Sequence, residues 1–320
     1  MAKTNIVAGE SQRCSGIVFD IKRYAINDGP GIRTTIFLKG CPLHCVWCHN
    51  PEGQSPEVQK MHSAAKCIGC KQCVNLCPWE ACRLTPQGIV TDKAICIVCG
   101  ICADNCPTKA TELSGRSETV ENIMAILEKE IIFFDQSGGG VTFSGGEPLL
   151  FPQFLSMLLD ACGEKGIHRT LDTTGFAKTE ILLDVAKRVD LFLYDIKMMD
   201  ASKHRQYTGV DNSLILHNLK VLSQSGANIR IRIPLIKGIN DDQRNIDETA
   251  RFINTLAGKI RVELLQYHGI AKHKHQKLGQ KYNSNDMAAP DAERSRQIIA
   301  AFQAYGIPVE FNFSQVESSS

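Results

Sequence analysis

The chain has 320 residues, which is enough for one large core and a small additional unit. Its 36 Lys and Arg residues nearly balance its 34 Asp and Glu residues, so the composition gives no support for broad nucleic-acid binding. The first residues are polar and lack the apolar centre of a secretory signal, and no apolar run has membrane-spanning length. We therefore expect a cytoplasmic protein that binds neither nucleic acid nor membranes.

Fourteen cysteines are unusual for an ordinary cytoplasmic enzyme, and eleven of them fall into three tight clusters. Such clustering favours metal ligation over disulfide bonds. The remaining three, Cys14, Cys82 and Cys162, are expected to be buried as small apolar residues rather than to be reactive thiols.

The first cysteine cluster follows a predicted strand near the start of the chain. Residues 1–16 are expected to be a disordered tail, residues 17–21 a strand, and Asp28-Gly29-Pro30-Gly31 a turn. A second strand at residues 33–38 leads into the C-x3-C-x2-C motif of Cys41, Cys45 and Cys48. Three thiolates on one short loop suit a four-iron cluster that is one ligand short. A zinc ion with His44 or His49 as fourth ligand is the alternative.

The composition changes between residues 56 and 114, where two four-cysteine motifs occur. Cys67, Cys70, Cys73 and Cys77 form C-x2-C-x2-C-x3-C-P, and Cys96, Cys99, Cys102 and Cys106 repeat this spacing 29 positions later. This is the spacing of bacterial two-cluster ferredoxins, in which the fourth cysteine of each motif ligates the other cluster. We therefore expect a ferredoxin-like insert with halves at about 58–87 and 88–114. One [4Fe–4S] cluster would bind Cys67, Cys70, Cys73 and Cys106, and the other Cys96, Cys99, Cys102 and Cys77. The alternative is a pair of zinc sites.

After the insert the apolar pattern alternates between helix and strand periods. Helices are predicted at residues 120–127 (with Ser117 as N-cap), 151–162, 181–189, 214–222, 246–256 and 292–302. Strands are predicted at residues 141–143, 169–173, 191–196, 229–233, 260–265 and 307–311, and a disordered tail at 314–320. This alternation indicates an α/β fold with a parallel sheet, as a barrel or part of one.

Polar and glycine residues follow the predicted strands at their carboxyl ends, where α/β barrels carry their chemistry. They are Ser144-Gly145-Gly146-Glu147-Pro148, Asp172-Thr173-Thr174-Gly175, Asp195-Ile196-Lys197, residues 230–234 and Gln266-Tyr267-His268. Each also has a structural interpretation: Glu147 could favour a helix N-terminus, Asp172 and Asp195 could be caps, and Lys197 could be solvated. The segment His273-Lys274-His275 is assigned no role.

The cysteine triad with Trp47 before its last cysteine, followed by Gly145-Gly146-Glu147, resembles the radical S-adenosylmethionine (SAM) superfamily. The segments at residues 28–33, 171–176, 195–197 and 267–268 are similar to the glycyl-radical-enzyme activating enzymes, the group of pyruvate formate-lyase activating enzyme. The two-cluster insert resembles the branch that serves choline trimethylamine-lyase, glycerol or propanediol dehydratase, isethionate lyase, benzylsuccinate synthase and 4-hydroxyphenylacetate decarboxylase.

The resemblance implies a partial, TIM-like (β/α)6 barrel formed by residues 17–55 and 115–313, with residues 56–114 inserted. SAM would complete the cluster on Cys41, Cys45 and Cys48, giving three [4Fe–4S] clusters in all. Asp28 and Lys197 would act with this cluster in catalysis. The SAM contacts would come from Trp47, Cys48, His49, Gly145, Gly146, Glu147, Asp172, Asp195, Ile196, Lys197, Arg232 and His268. Asp172, Thr173 and Asp195 also match positions that bind a monovalent cation in the formate-lyase activating enzyme.

The implied activity is reductive cleavage of SAM to methionine and a 5′-deoxyadenosyl radical, which takes a hydrogen atom from a glycine of a partner enzyme. A flavodoxin or ferredoxin would supply the electron, with the insert clusters as a possible relay. Two alternatives remain at this point: a radical SAM enzyme that acts on a small molecule, and an electron-transfer protein without catalytic activity.

Overall fold

The computed structural model describes residues 14–86, 88–280 and 287–311. Its strands are β1 (Ser15–Ala25), β2 (Arg33–Leu38), β3 (Gln59–His62), β4 (Cys82–Thr85), β5 (Gly88–Thr91), β6 (Thr111–Ser114), β7 (Arg116–Thr119), β8 (Gly140–Gly145), β9 (His168–Thr173), β10 (Leu191–Asp195), β11 (Ile229–Leu235), β12 (Arg261–Gln266) and β13 (Val309–Phe311). Its helices are α1 (Gln72–Asn75), α2 (Ile101–Asp104), α3 (Val120–Leu127), α4 (Ile131–Ser137), α5 (Pro152–Glu164), α6 (Thr179–Ala186), α7 (Ala201–Thr208), α8 (Ser213–Gln224), α9 (Gln243–Ile253), α10 (Lys272–Lys277) and α11 (Ala292–Ala304).

One nine-stranded sheet forms the centre of the molecule, in the order β13-β12-β11-β10-β9-β8-β2-β1-β7. The strands from β2 through β13 in this order pair in parallel, whereas β1 pairs antiparallel with both β2 and β7. In the described part of the chain the outer strands β13 and β7 do not pair with each other, so the sheet stays open. The expected partial barrel with helical crossovers is confirmed.

The core lies between this sheet and its helices. Parallel strands covered on both faces are expected to be continuously apolar, and Leu191 to Tyr194 of β10 are all buried. Helix α5 turns one apolar face toward the sheet, with Phe154, Leu155, Leu158, Leu159 and Cys162 buried. These contacts fix the carboxyl ends of the parallel strands at one rim.

The turn before β2 is fixed by Arg33, which is fully buried. Its guanidinium donates to the carbonyl oxygens of Pro30, Val141 and His168 and to Thr142 Oγ1. Gly31 has φ 67°, and a Cβ there would lie 2.5 Å from the backbone of Gly139. The motif at residues 28–33 therefore packs one turn tightly against the neighbouring strand.

Several local expectations need correction. Ser117 lies within β7, and Thr119 caps α3 instead by accepting a hydrogen bond from Asn122 N. Strand β1 begins at Ser15, so Ser15 and Gly16 pair with β7 rather than belong to a tail. Cys14, also expected in the tail, is described by the structure but precedes β1. The remaining residues of the two expected tails, 1–13 and 314–320, lie outside the described residues. Helices α1, α2, α4, α7 and α10 were not predicted.

The insert lies between β2 and β7 and forms two small antiparallel sheets, β3 with β6 and β4 with β5. Its helices α1 and α2 carry Cys73 and Cys102. Because Gln59 pairs with Ser114, the two ends of the insert lie side by side. Among the helices that the structure describes, none combines the length and the apolar character needed to cross a membrane.

Candidate active site

The loop that carries the cysteine triad is held by backbone hydrogen bonds on two sides. Gly40 N donates to Gly53 O (2.7 Å) and Cys41 N to Gln54 O (3.0 Å). On the other side, His44 N donates to Thr208 O (2.7 Å) and Val46 N to Tyr207 O (3.0 Å), both at the end of α7. The unpredicted helix α7 is therefore what fixes the second half of the loop.

Cys41, Cys45 and Cys48 face one cavity of about 280 Å³ at the rim of the sheet. Its polar and aromatic walls come from the ends of successive strands: Asp28, Phe37, Trp47, His49, Asn50, Ser144, Gly145, Gly146, Asp172, Thr173, Thr174, Asp195, Lys197, Arg232, Gln266 and Tyr267. The structure thus brings together most of the residues that the sequence singled out.

The donor set suits a cluster better than a single ion. Within residues 14–86, 88–280 and 287–311, no three His, Cys, Asp or Glu side chains converge closely enough to hold one metal ion. Burial raises the pKa of all three triad thiols, that of Cys48 to about 12, so iron has to displace their protons on binding.

Two ion pairs set the charge of the cavity. Lys197 Nζ lies 3.0 Å from Asp195 Oδ2, and Arg232 lies 3.5 Å from both Asp172 and Glu263. Burial lowers the pKa of Lys197 and Arg232, but the nearby carboxylates, with Cys45 and Cys41 in the case of Lys197, raise both to a net value above the ordinary one. Both side chains therefore stay cationic at neutral pH.

Asp172 lies between Ser144, whose hydroxyl donates to it at 2.7 Å, and Arg232. Burial, with the negative charge of Asp195, raises the pKa of Asp172 to about 6, although Arg232 opposes this shift. The cavity therefore has paired positive and negative groups at its wall, which matches a zwitterion such as an amino acid.

His49 and His268 stack with ring centroids 4.1 Å apart and an interplanar angle of 18°. Burial, together with His268, lowers the pKa of His49 to about 4, so its ring is neutral at physiological pH. In the described part of the chain, His49 Nε2 and His268 Nδ1 are buried without a hydrogen-bond partner. His49 lines the cavity, and an adenine or ribose group could satisfy its free nitrogen.

The structure gives Glu147 a different position from the expected one. Its carboxylate is fully buried and accepts hydrogen bonds from Thr173 Oγ1, Thr174 N, Thr174 Oγ1 and Leu149 N. It connects the ends of β8 and β9 and does not line the cavity. A direct bond to a ligand ammonium is therefore not supported, because the protein already uses both carboxylate oxygens.

Gly145 and Gly146 do line the cavity, but their side-chain positions face the protein. A Cβ on Gly145 would lie 2.4 Å from Leu38 N, and one on Gly146 would lie 2.1 Å from Gly40 O. Both glycines are needed for close packing, and their backbone is what a ligand could contact. Ile196 is buried in the core and does not line the cavity.

Helix α10 supplies contacts that no sequence pattern predicted. Lys274 Nζ lies 2.7 Å from Glu52 and donates to Asn50 Oδ1 at 2.9 Å, and His275 Nε2 lies 3.2 Å from Cys48 O. The segment assigned no role thus braces the third cysteine. No local pattern could have shown this, because these partners are more than 200 positions apart.

The insert brings its cysteines together in the crossed arrangement. Cys67, Cys70, Cys73 and Cys106 line one small cavity, whereas Cys96, Cys99, Cys102 and Cys77 line another. Cys82 and Cys162 are buried as expected, but Cys14 is partly exposed, and Cys82 lines the second cavity.

Comparisons with known proteins agree with this geometry. Residues 94–253 match the family model of the radical SAM superfamily, and residues 66–110 match a 4Fe-4S dicluster domain. A radical SAM methyltransferase structure from Sphaerobacter thermophilus matches with a TM-score of 0.54 at 13% identity, covering 92% of this chain and 76% of that one. The similarity to this methyltransferase structure concerns the fold alone.

Several relatives match this chain over nearly their full length. A trans-4-hydroxy-L-proline dehydratase activating enzyme from Clostridioides difficile is 45% identical, with coverage of 90% of this chain and 96% of the relative. A choline trimethylamine-lyase activating enzyme from Oleidesulfovibrio alaskensis is 38% identical (92% and 96%). A benzylsuccinate synthase activating enzyme from Thauera aromatica is also 38% identical (92% and 91%).

One conclusion follows from the three cysteines that face one cavity, the two four-cysteine sets of the insert and these full-length matches. The chain belongs to the glycyl-radical-enzyme activating enzymes of the radical SAM superfamily, which use SAM and a [4Fe–4S] cluster.

Proposed function

We propose that the cavity at Cys41, Cys45 and Cys48 holds a [4Fe–4S] cluster with SAM and is the site of hydrogen abstraction from a partner enzyme. When bound, the cluster supplies the electron that cleaves SAM to methionine and a 5′-deoxyadenosyl radical. The convergence of the triad and the strand-end residues on one cavity carries this proposal.

The chain's own residues would hold SAM by charge and by shape. The backbone of Gly145 and Gly146 and the Asp195 carboxylate offer acceptors for the methionine ammonium, and Lys197 offers a cation for the carboxylate. Trp47 and the neutral His49 would contact the adenine, with His268 stacked behind His49. Asp28, which also lines the cavity, accepts a hydrogen bond from Thr35 Oγ1 and would help to position the reacting groups.

The positions that match a cation site have other partners here. Asp172 pairs with Arg232, and the Thr173 hydroxyl donates to Glu147. We infer that Arg232 supplies the positive charge that a monovalent cation would otherwise supply beside the cofactor.

The partner is a protein with a glycine that can enter the cavity. Glycine suits this reaction because it has no Cβ to obstruct approach. The first candidate is a hydroxyproline dehydratase, since the relative that activates one is 45% identical, against 38% for the choline and benzylsuccinate relatives. The expected setting is the cytoplasm, with a flavodoxin or ferredoxin as electron donor.

Electron paramagnetic resonance (EPR) tests this proposal. The reconstituted chain is reduced with dithionite and incubated with SAM and purified trans-4-hydroxy-L-proline dehydratase, with choline trimethylamine-lyase as the parallel partner. We expect a glycyl radical signal on the dehydratase and a much weaker signal on the lyase. Cys45→Ala is expected to abolish both the signal and the release of 5′-deoxyadenosine.

The outcomes distinguish an error in the partner from an error in the active site. Release of 5′-deoxyadenosine with no radical on either protein would assign the chain to a different partner. Failure to cleave SAM at all would overturn the proposed active site.

A further inference from the structure

The insert is an internal repeat in structure as well as in sequence. Strand β3, helix α1 and strand β4 correspond to β5, α2 and β6, each 29 positions later. Because β3 pairs with β6 and β4 with β5, the two halves exchange strands as well as their fourth cysteines. The two cysteine cavities are therefore built from matching positions of the repeat.

The matching positions differ in charge. Lys60 of β3 lines the cavity of Cys77, Cys96, Cys99 and Cys102, and its repeat mate Ile89 of β5 lines the other cavity. Cys82 likewise lines the same cavity as Lys60, whereas Thr111, the residue at the matching position of the repeat, lines the other cavity. One cavity thus has an ammonium and a fifth thiol where its twin has an isoleucine and a threonine.

The position of Lys60 is well defined. Its Nζ atom donates to Cys82 Sγ at 2.9 Å, and the same group also interacts with Cys102. The side chain is half-buried, and among the described residues no carboxylate lies within ion-pair distance of it. Its positive charge is therefore directed at the thiol cavity rather than compensated by an acid.

Cys82 anchors this ammonium at the cavity of Cys77, Cys96, Cys99 and Cys102, which both residues line. It is buried and packs with Cys73 of one set and Cys77 and Cys102 of the other. Since the four-cysteine spacing already provides a complete ligand set from Cys96, Cys99, Cys102 and Cys77, Cys82 remains as a neighbour that anchors Lys60.

We propose that Lys60, anchored by Cys82, is a positioning residue that raises the reduction potential of the cluster on Cys96, Cys99, Cys102 and Cys77 above that of its twin. This inference rests on the proposed clusters in the two insert cavities. A nearby cation stabilises the more negative, reduced state of a cluster, and hydrogen bonds toward its sulfurs act in the same direction. The two clusters of the repeat are then inequivalent, and an electron rests preferentially on the one beside Lys60.

Potentiometric titration followed by EPR tests this in the full-length protein with all clusters reconstituted, where added SAM identifies the triad cluster. In Lys60→Met we expect the reduction potential of one insert cluster to fall by more than about 28 mV. This corresponds to a more than threefold change in the equilibrium constant for its one-electron reduction. Lys60→Arg, which keeps the charge, is expected to stay close to the wild type. Lys71→Met is the matched control, because Lys71 lines the other cavity but is exposed.

A fall smaller than threefold in Lys60→Met, or an equal fall in both insert clusters, would overturn the role of Lys60. If Lys60→Met does not assemble its clusters, Cys82→Ala takes its place, because it keeps the ammonium but removes its anchor. The potential should then fall in the same cluster, and an unchanged potential would overturn the proposal. Absence of insert-cluster signals in the wild-type protein would instead overturn the clusters themselves, and Lys60's role with them.

Discussion

Glu147 connects the ends of β8 and β9 through hydrogen bonds that occupy both of its carboxylate oxygens. Burial raises the pKa of this carboxyl, while the hydrogen bonds from Thr173 and Thr174 oppose that shift. A single side chain thereby positions Thr173 and Thr174 at the cavity wall. Its contribution to SAM binding is expected to be indirect, through the shape of the rim.

Replacement of Glu147 by Gln separates an organising role from a contact role. The amide nitrogen of Gln cannot accept the hydrogen bonds that one carboxylate oxygen accepts, so buried donors lose their partner. We expect the free energy of unfolding, measured with urea, to fall by roughly 1–3 kcal/mol. Glu164→Gln, on an exposed residue of α5, is the control and should change stability by less than about 0.5 kcal/mol. Unchanged stability combined with lost SAM binding would show that Glu147 contacts SAM directly.

For single residues, the sequence predicted which side chains bind metal clusters more reliably than it predicted which groups each side chain contacts. The spacing of the eleven clustered cysteines predicted which thiols share a cavity, because each motif places three thiols on one short segment and the repeated motif is that of ferredoxins that exchange their fourth cysteines. The role of Glu147 was not predictable, because Glu-Pro before a helix looks the same whether its carboxylate faces a ligand or two threonines of the next strand.

Two short helices hold the triad loop in place, α7 through its carboxyl end and α10 through Lys274 and His275. Both are polar, and isolated helices of this length are unstable in water. Their stability must come from the contacts that they make with the loop and the barrel. Helix α10 also pairs with the insert, where Lys277 lies 2.8 Å from Glu112.

Lys274→Met tests the bracing by α10. The change leaves the largely buried Glu52 without its cation, and the loop that carries Cys48 should open more often. A local cost of about 1–2 kcal/mol corresponds to roughly five- to thirtyfold faster loss of iron from the triad cluster to a chelator. Lys272→Met, an exposed position of the same helix, is the control. Equal rates in both variants would contradict a bracing role.

The strands and long helices could be predicted from apolar periodicity, because burial in a parallel sheet imposes it along the chain. Helices α7 and α10 could not, since their sequences are polar and only tertiary contacts make them helical. The N-cap of α3 was misplaced by two residues, because Ser117 and Thr119 are both suitable caps and the pairing of β7 with β1 decides between them.

The molecule as a whole combines a catalytic rim with an insert that has two further cysteine cavities. We interpret the insert as an electron relay from a protein donor to the triad cluster. The order of potentials proposed above would then favour residence of the electron near Lys60.

Cys67→Ala combined with Cys96→Ala tests the relay. Each change removes a ligand from one insert set and leaves the triad untouched. We expect intact triad-cluster spectra, slower glycyl-radical formation with flavodoxin or ferredoxin, and little change with dithionite, which reaches the triad directly. Unchanged rates with the protein donor would contradict the relay and leave a structural role for the insert.

The pairing of Gln59 with Ser114 has a consequence for how such a protein could change over time. Because the insert departs and returns at adjacent backbone positions, its removal would require only a short linking turn and would leave the strand order of the barrel intact. The strand order of the barrel is therefore independent of the insert, whereas helix α10 would lose its contact between Lys277 and Glu112.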